Sequence, residues 1–377
     1  MYTGIDVHKD SCYLTAMNEK GEVLWEKEVG TRDTEWIEDL EKGSKIAMES
    51  GTYSRPLYNE LKSRGFDVLM AHPAKLRLIA ESSKKTDRND SFHLANLLRM
   101  EYLPCSYVPE KHWEDMRNLC RHRVSLGHKI TRVKNEVNAL LARSGIELKH
   151  SDIFGVAGLN EMRALDLSDS DNFLLGSSLE ELVFLTEKAS EVQRTIAFYA
   201  ENNKEAKLLM TIPGIDYYSA MTILAEIGDI TRFSSPKKLV SYAGLVPRQR
   251  DSGGTSRRGG ISKEGSGVLR WILVSAVHSI LRCRKGNNKL KSFYLHLVRR
   301  RKPKQVAVVA TAKKLLCIIY TMLIKGEEYK EGNDMLASRK LEKMKSQARP
   351  VIPKDIRKDL EKLKSKVDIL GGGYAVK

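Results

Sequence analysis

The sequence predicts an α/β domain with a mixed sheet at residues 1–105, a helical coiled-coil linker at 106–205 and a mainly α domain at 206–330. Short strand and helix patterns alternate in the first region. In the second region, apolar residues recur with the 3.5-residue spacing of a coiled coil. The third region contains apolar helical runs around a Pro-Gly turn. Residues 331–377 have mixed charge and little apolar content, so we expect a charged tail that is peripheral or partly disordered.

The N-terminal pattern alternates strands and helices. YTGIDV predicts a short apolar strand, and SCYLTAMNEKGEVLWEKEV predicts two strands around the turn Asn18–Gly21. SKIAMES predicts another strand, followed by a helix through Leu57 and Leu61. FDVLMA predicts a further strand, and a helix-forming run begins near Thr86. This order of elements is typical of an α/β layer with a mixed sheet.

Two heptad series form the predicted linker. The first, within Trp113–Leu141, has one break, at Arg123. Its seams are occupied by apolar residues: Met116, Ile130 and Val137 in one, and Leu119, Leu126, Val133 and Leu140 in the other. The second series comprises Leu182, Leu185, Ala189, Val192, Ile196 and Tyr199. This spacing predicts either a helical hairpin or an intermolecular coiled coil, and the sequence leaves both open.

The stretch LLMTIPGIDYYSAMTILAEIG predicts two apolar helices joined by a Pro-Gly turn. It resembles a helix-hairpin-helix element, in which turn amides and a helix N-terminus hold a DNA phosphate. The alternative is an ordinary helical corner in a core. Tyr217, Tyr218 and Tyr242 fit core positions, although a catalytic tyrosine stays an alternative.

Composition favours a soluble cytoplasmic protein with no membrane partner. The five cysteines are scattered and form no C-x-x-C pair, which is typical of a reducing compartment. The N-terminus MYTGIDVHKD has no signal-peptide pattern. The longest apolar run, Leu315–Ile324, is too short to cross a bilayer.

The net charge of +16 is concentrated in one segment. Residues 232–302 contain 18 Lys and Arg but only Asp251 and Glu264, so this segment accounts for the whole excess. Such a concentration is typical of a protein that binds a polyanion, most often nucleic acid. The alternative is a solvated basic face. The predicted nucleic-acid contacts are Arg248, Arg250, Arg257, Arg258, Lys263 and Arg270.

Four acidic residues form a candidate metal site. Asp6 and Glu49 end predicted strands, and Asp87 and Asp90 share one face of a predicted helix. Carboxylates brought together this way repel one another unless they share divalent cations. Two Mg²⁺ ions held by them would act on the attacking and leaving oxygens of a phosphodiester. Taken singly, each acid could instead be a capping or ion-paired residue.

The stretch GLVPRQRDSGGTSRRGGISKEGS, residues 244–266, is the second candidate site. It lacks the lysine of a nucleotide-binding Walker loop, and both flanks have packed-helix patterns, so we expect an anchored loop rather than a tether. Ser252 or Ser256 could be a nucleophile, with the neighbouring arginines positioning a phosphate. The alternative is that both serines are turn residues.

The segments GIDVHK, AMESGTYSRPLYNELKSRGFDV and KTDRNDSFHLANLL resemble the N-terminal domain of the insertion sequence 110 family of transposases, which includes the Piv-type DNA invertases. The segment that runs from IPGIDYYSAM to GVLRWILVSA resembles the C-terminal domain of the same family. The resemblance covers most of residues 1–330, in the family's order, with a helical linker between the two parts.

The resemblance implies an RNase H-like, RuvC-type domain with Asp6, Glu49, Asp87 and Asp90 as its metal-binding quartet, and it implies that Ser252 is the nucleophile. It also implies donor and target DNA as substrates, a bridge RNA as guide, and a dimer or tetramer in a bacterial or archaeal cell. The RNA would supply sequence recognition by base pairing. We therefore expect a DNA recombinase that forms a phosphoserine link, with Mg²⁺ as cofactor.

The sequence is also compatible with two rival functions. In one, the chain is a metal-dependent nuclease of the Holliday-junction type, and Ser252 is a turn residue. In the other, the chain is a nucleic-acid-binding protein without catalytic activity. A covalent DNA adduct would distinguish the recombinase from both alternatives.

Overall fold

The computed structural model describes residues 1–79, 86–252, 255–283 and 288–349, without the side chains of residues 250–252 and 255–258. The chain forms two compact units, residues 1–109 and 110–377. The first unit contains a five-stranded sheet. The described part of the second is helical apart from one β-hairpin.

The predicted mixed sheet is confirmed in the first unit. Its strands are β1 (Tyr2–Val7), β2 (Ser11–Met17), β3 (Val23–Gly30), β4 (Lys45–Glu49) and β5 (Asp67–Ala71). The strand order is β3-β2-β1-β4-β5. β2 pairs antiparallel with β1 and β3, whereas β4 is parallel to both β1 and β5. The parallel strands β1 and β4 therefore end at the same edge of the sheet.

Helices cover both faces of this sheet. They are α1 (Ser54–Ser63), α2 (Pro73–Ile79) and α3 (Asp87–Arg99), and a 3₁₀ helix spans Glu35–Asp39. Apolar side chains of α1 and the 3₁₀ helix pack on one face. Those of α2 and α3 pack on the other. Because side chains alternate along a strand, each face contributes its own core.

Gly4 lets α3 approach β1 closely. A Cβ atom at Gly4 would lie 2.0 Å from the carbonyl oxygen of Ser91 and 2.5 Å from the amide nitrogen of Ala95. The hydroxyls of Ser91 and Thr15 form a buried 2.7 Å hydrogen bond beside this contact. Since Gly4 and Asp6 are two residues apart on one strand, they share the face that α3 covers. This contact therefore brings the start of α3 next to Asp6.

The two heptad series form an antiparallel helical hairpin within one chain. α4 (Lys111–Arg143) and α6 (Asp169–Glu201) each have 33 residues, or about 50 Å of helix. α5 (Val156–Arg163) lies in the connection between them. Five apolar side chains fill the middle of the hairpin: Leu126, Val133, Leu182, Leu185 and Ala189. The structure thus favours the hairpin over the intermolecular alternative.

Arg123, which breaks the heptad pattern, makes specific contacts. Its Nη2 donates to Oε1 of Gln193 on α6 at 3.1 Å. Its guanidinium also lies 5.5 Å from the centroid of the Tyr218 ring. These contacts explain why a cation is accommodated at a seam position.

The remaining helices share one core with the start of α4 and the end of α6. They are α7 (Lys204–Met210), α8 (Tyr217–Ile227), α9 (Pro236–Tyr242), α10 (Gly267–Arg282), α11 (Lys289–Arg299), α12 (Lys304–Lys325) and α13 (Asp334–Gln347). α8 is almost entirely buried. α12 is long and apolar enough to cross a membrane by length and composition alone. Eight of its residues are buried, including Leu315, Leu316 and Ile319 in this core, as in the core helix of a globular protein.

The Pro-Gly turn between α7 and α8 packs as a corner of the core. A Cβ atom at Gly214 would lie 2.8 Å from the backbone nitrogen of Ile280 on α10. The side chain of Asp216 accepts from the amide of Ser219 at 2.8 Å, so a carboxylate already caps the N-terminus of α8. A phosphate would be repelled there. The structure therefore favours the core-corner alternative over a phosphate-binding helix-hairpin-helix.

Part of the predicted tail is a helix, α13, that contacts the core of the second unit. Met344 is fully buried in the core of the second unit. Lys340 Nζ donates to the carbonyl oxygens of Met210, Ile212 and Ile215, at 2.8 Å and 2.9 Å for the last two. The low apolar content of this segment concealed the helix, whose packing includes the half-buried Lys340 and the partly buried Leu341 besides Met344. Residues 350–377 lie outside the described residues.

The basic stretch predicted as a loop contains a β-hairpin. β6 (Pro247–Ser252) pairs antiparallel with β7 (Thr255–Ile261). Ser252 is opposite Thr255, so a two-residue Gly-Gly connection joins the strands. Gly-Gly between two strand-length runs is a hairpin signal. The many arginines and glycines of both strands hid this signal, because they lack the usual alternation of apolar and polar residues.

Candidate functional site

The four predicted acidic residues lie at one edge of the sheet of the first unit. Asp6 follows Ile5, which pairs with Met48 of β4, and Glu49 is the next residue after Met48. Because β1 and β4 are parallel, Asp6 and Glu49 lie at the same end of neighbouring strands. Asp87 and Asp90 belong to the first turn of α3.

The start of α3 is fixed by a capping interaction. The hydroxyl of Thr86 accepts from the amide of Asn89 at 3.2 Å, which makes Thr86 the N-cap. Carboxylates in the first turn of a helix are favoured by the positive end of its dipole. This explains in part how Asp87 and Asp90 tolerate each other's charge.

Asp6, His8 and Asp87 are in direct contact. Nε2 of His8 lies 3.2 Å from Oδ2 of Asp6 and 3.3 Å from Oδ1 of Asp87. One ligand atom from each of these residues lies within 4.8 Å of the other two. Asp6 is 8% exposed, whereas His8 and Asp87 are exposed. Asp6 therefore forms the buried side of this group, and His8 and Asp87 form its solvent-exposed side.

The protonation of this group reflects crowded negative charge. Burial raises the pKa of Asp6, His8 lowers it, and the carboxylates of Asp90 and Asp87 raise it again, with a net increase. Burial lowers the pKa of His8, but Asp6 and Asp87 outweigh this effect, so its pKa is raised. A cation placed among these groups would relieve the repulsion between the carboxylates.

The donor set fits a divalent metal ion. Carboxylate oxygens suit Mg²⁺ and Mn²⁺, and an imidazole nitrogen suits transition metals such as Mn²⁺. Asp6, His8 and Asp87 provide three potential ligand atoms at compatible distances. Asp90 lies close enough to raise the pKa of Asp6. Glu49 lies at the adjacent strand end.

His8 is a candidate site residue that the sequence pattern alone did not indicate, because the nine histidines have no metal-binding spacing among themselves. A usable signal was present: His8 lies two residues after Asp6 at the end of a strand. Residues with this spacing point to the same side of a strand.

The described structure places the second candidate site in the β6–β7 hairpin. Ser252 is the last residue of β6. The side chains of Ser252, Arg250, Arg257 and Arg258 lie outside the described residues, as does that of Ser256. Their predicted roles therefore remain predictions.

The described basic residues near this hairpin have different roles. Arg248 is exposed, and its Nη2 donates to the carbonyl oxygen of Ser262 at 3.0 Å. Lys263 is exposed and has a positive φ of 58°. Arg270 Nη1 donates to the carbonyl oxygens of Ala243, Glu264 and Gly265 at 3.1–3.2 Å. Arg270, predicted as a nucleic-acid contact, is therefore engaged in holding the base of the hairpin.

Two glycines allow the segments that flank the β6–β7 hairpin to pack closely against each other. A Cβ atom at Gly244 would lie 2.0 Å from the carbonyl oxygen of Glu264, and one at Gly265 would lie 2.0 Å from that of Tyr242. Both glycines have positive φ values, 66° and 82°. The hairpin is therefore firmly anchored to the helical core at its open end.

The three tyrosines considered as alternative nucleophiles have core settings. Tyr217 is 1% exposed, and its hydroxyl accepts from Nε2 of Gln193 at 2.9 Å. Burial raises the pKa of Tyr218 to about 12. The hydroxyl of Tyr242 donates to the carbonyl oxygen of Glu226 at 3.1 Å. These positions agree with the prediction that the tyrosines are core residues.

Two known protein families match separate parts of the chain. Residues 3–145 match the DEDD_Tnp_IS110 family, described as a transposase. Residues 206–295 match the Transposase IS116/IS110/IS902 family. The first match contains the acidic group, and the second contains the β6–β7 hairpin.

Relatives align over most of their length. The transposase for insertion sequence element IS1111A of Coxiella burnetii is 26% identical, covering 87% of this chain and 91% of the relative. The transposase for insertion sequence element IS1328 of Yersinia enterocolitica is 24% identical, with 86% and 96% covered. The pilin gene-inverting protein of Moraxella bovis is 24% identical, with 85% and 95% covered. The two family matches and these relatives together cover most of the chain. The chain therefore belongs to the IS116/IS110/IS902 family of insertion-sequence transposases, which are DNA-transposing enzymes.

Proposed function

We propose that this chain cuts and rejoins DNA through a covalent link between Ser252 and a DNA phosphate. Asp6, Glu49, Asp87 and Asp90 would bind Mg²⁺, as two ions, in the same reaction. The observation that supports the proposal is that Asp6, His8 and Asp87 present ligand atoms within 4.8 Å of one another, with Asp90 close enough to raise the pKa of Asp6.

The topology of the first unit supports an RNase H-like assignment. The order β3-β2-β1-β4-β5, with β2 alone antiparallel to both its neighbours, places Asp6 in the central strand. The ligand-bearing ends of β1 and β4 open at one edge, as in other α/β sites at strand ends. Gly4 then brings the helical carboxylates to that edge.

The acidic group accounts for the choice of cofactor. Bound Mg²⁺ would stabilise the charge that develops on the phosphate oxygens. Asp6 supplies the buried base of the site, and Asp87 supplies an exposed carboxylate at its mouth. Nε2 of His8 lies between the two carboxylates and contacts both.

The serine step conserves atoms and charge. The Ser252 hydroxyl loses its proton and its oxygen forms a bond to phosphorus. The bond from phosphorus to one strand oxygen breaks, and that oxygen takes up a proton. Rejoining reverses these events with a different strand end. Cationic side chains of the basic segment, including Arg248, would bind the phosphate charge.

The proposal extends to partners and regions. Residues 1–105 would form the metal-dependent catalytic domain, 106–205 the helical linker, 206–330 the serine transposase domain and 331–377 a tail. Donor and target DNA would be recognised through a bridge RNA, and a dimer or tetramer would provide the sites. The similarity to pilin gene-inverting proteins suggests DNA inversion as a further outcome of the same chemistry.

Cleavage of donor DNA in the presence of guide RNA tests the role of the acidic group. We expect Mg²⁺-dependent cleavage by the unaltered chain, its abolition by EDTA, and a large loss in Asp87→Asn. Asp10→Asn is the matched control, because Asp10 is an exposed acid near the same strand end. Equal activity of Asp87→Asn and Asp10→Asn would contradict the metal-site assignment.

Ser252→Ala separates the recombinase from the nuclease. We expect the variant to lose both the covalent adduct and strand cleavage. Cleavage that persists without an adduct would instead support a metal-dependent nuclease, with water as the attacking group.

A further inference from the structure

Trp271 is an exposed aromatic residue beside the β6–β7 hairpin. Its side chain is 42% exposed. All four tryptophans lie in the described part of the chain, and the other three are buried or half-buried. The preceding residue, Arg270, bonds to the carbonyl oxygens at the base of the hairpin. Trp271 therefore directly follows, on α10, the residue that bonds to the segments flanking the β6–β7 hairpin.

The ring of Trp271 is held in place by a second helix. Its centroid lies 6.4 Å from that of the His128 ring on α4, with an interplanar angle of 81°. This edge-to-face contact orients the indole but leaves much of it in solvent. His278 and Arg282, seven and eleven residues further along α10, are also exposed and lie on the same side of the helix.

The helix segments that carry Trp271 and His128 are basic in composition. α10 contains no acidic residue. Residues 116–135 of α4 contain six Lys and Arg and no Asp or Glu. Two acids compensate part of this charge: Glu136 pairs with Arg132 at 2.9 Å, and Glu226 pairs with Arg121 at 2.7 Å. The two segments that carry the Trp271 and His128 rings therefore keep a net positive charge.

From this geometry we propose that Trp271 is a stacking site for an unpaired nucleobase of single-stranded nucleic acid. An exposed aromatic surface on a helix that carries Arg270 and Arg282 and no acidic residue matches a base with its flanking phosphates. Base faces are hidden within a duplex, so a stacking residue selects unpaired strands. The inference rests on the proposed function, because it places an unpaired nucleotide close to the hairpin with Ser252.

Fluorescence anisotropy with labelled oligo(U), oligo(dT) and a short duplex, at fixed salt, tests the proposal. We expect Trp271→Ala to weaken binding of a single strand by about 5- to 150-fold and Trp271→Phe to retain most of the affinity. Trp271→Leu, which keeps apolar bulk without a π face, should resemble Trp271→Ala. Duplex affinity should change by less than about twofold, since phosphate contacts dominate it.

Phe173→Ala is the matched control, because Phe173 is a 75% exposed aromatic residue on α6 of the same unit. We expect it to bind like the unaltered chain. If Trp271→Ala loses more affinity for oligo(U) than for oligo(dT), the bound strand is RNA. If it loses more affinity for oligo(dT), the bound strand is DNA. Unchanged single-strand affinity in Trp271→Ala, or equal losses for single strand and duplex, would overturn the proposal. A changed oligomeric state in size-exclusion chromatography would overturn it in favour of a subunit contact.

All binding measurements are repeated in the Ser252→Ala background. This variant cannot form the proposed adduct but keeps Trp271. Loss of Trp271-dependent binding in that background would contradict the inference about Trp271. An absent adduct in the unaltered chain, with Trp271-dependent binding intact, would contradict the serine chemistry alone.

Discussion

Gly4→Ala perturbs the contact that brings α3 to the acidic group. The added methyl would lie 2.0 Å and 2.5 Å from backbone atoms of Ser91 and Ala95. Backbone atoms cannot turn aside as a side chain can, so α3 must move by about 1 Å to restore ordinary separations. The substitution therefore tests whether helix position determines site geometry.

Two magnitudes follow from this displacement. Overpacking of a tight core costs about 1–3 kcal/mol in the free energy of unfolding, and a clash with backbone places Gly4→Ala near the upper value. The hydrogen bond between Thr15 and Ser91 would also be strained. Because Asp87 lies one turn before Ser91, its displacement from Asp6 should reduce cleavage by about 100-fold.

Urea unfolding and single-turnover cleavage measure the two effects. Gly51→Ala is the matched control, since no atom lies within 4 Å of the added methyl and Gly51 has no positive φ. We expect the control to change stability by less than about 0.5 kcal/mol. Unaltered stability and cleavage in Gly4→Ala would refute the reasoning about the close approach of α3.

Three further predictions concern charged residues. Arg121→Met should lower the free energy of unfolding by about 3 kcal/mol, because it leaves the buried carboxylate of Glu226 without its bidentate partner; a loss below about 1 kcal/mol in urea unfolding would contradict this. Burial lowers the pKa of Lys340 to about 8, so the unfolded state binds more protons between about pH 8 and 10.4 and stability rises with pH in that window. Lys340→Met should remove this increase in the free energy of unfolding, which amounts to at most about 3 kcal/mol. The same pH profile in Lys340→Met and the unaltered chain would contradict the assignment to Lys340. His8→Ala should weaken Mn²⁺ binding by about 10- to 100-fold in calorimetry, whereas unchanged affinity would remove His8 from the site.

The sheet and the positions of the acids were predictable from the sequence. Strand ends at Asp6 and Glu49 follow from short apolar runs, and Thr86 with Asp87 has the pattern of a helix start. What the sequence could not provide is the distance between these elements. That distance depends on the close approach at Gly4, where strand and helix are far apart in the chain.

The second unit was less predictable for physical reasons. Whether the heptad helices pair within one chain depends on tertiary packing, which their spacing does not encode. α13 was missed because Met344 and Lys340 supply contacts that a mixed-charge segment does not reveal. The β6–β7 hairpin was missed because its strands carry arginines rather than alternating apolar residues.

The identity of the nucleophile is the central claim that remains to be measured. After reaction with donor DNA, guide RNA and Mg²⁺, the chain is denatured and digested, and mass spectrometry locates the nucleotide that stays attached. We predict a nucleotide linked through phosphate to Ser252, and its absence in Ser252→Ala. Attachment to Ser256 or to a tyrosine, or cleavage without any attached nucleotide, would contradict it.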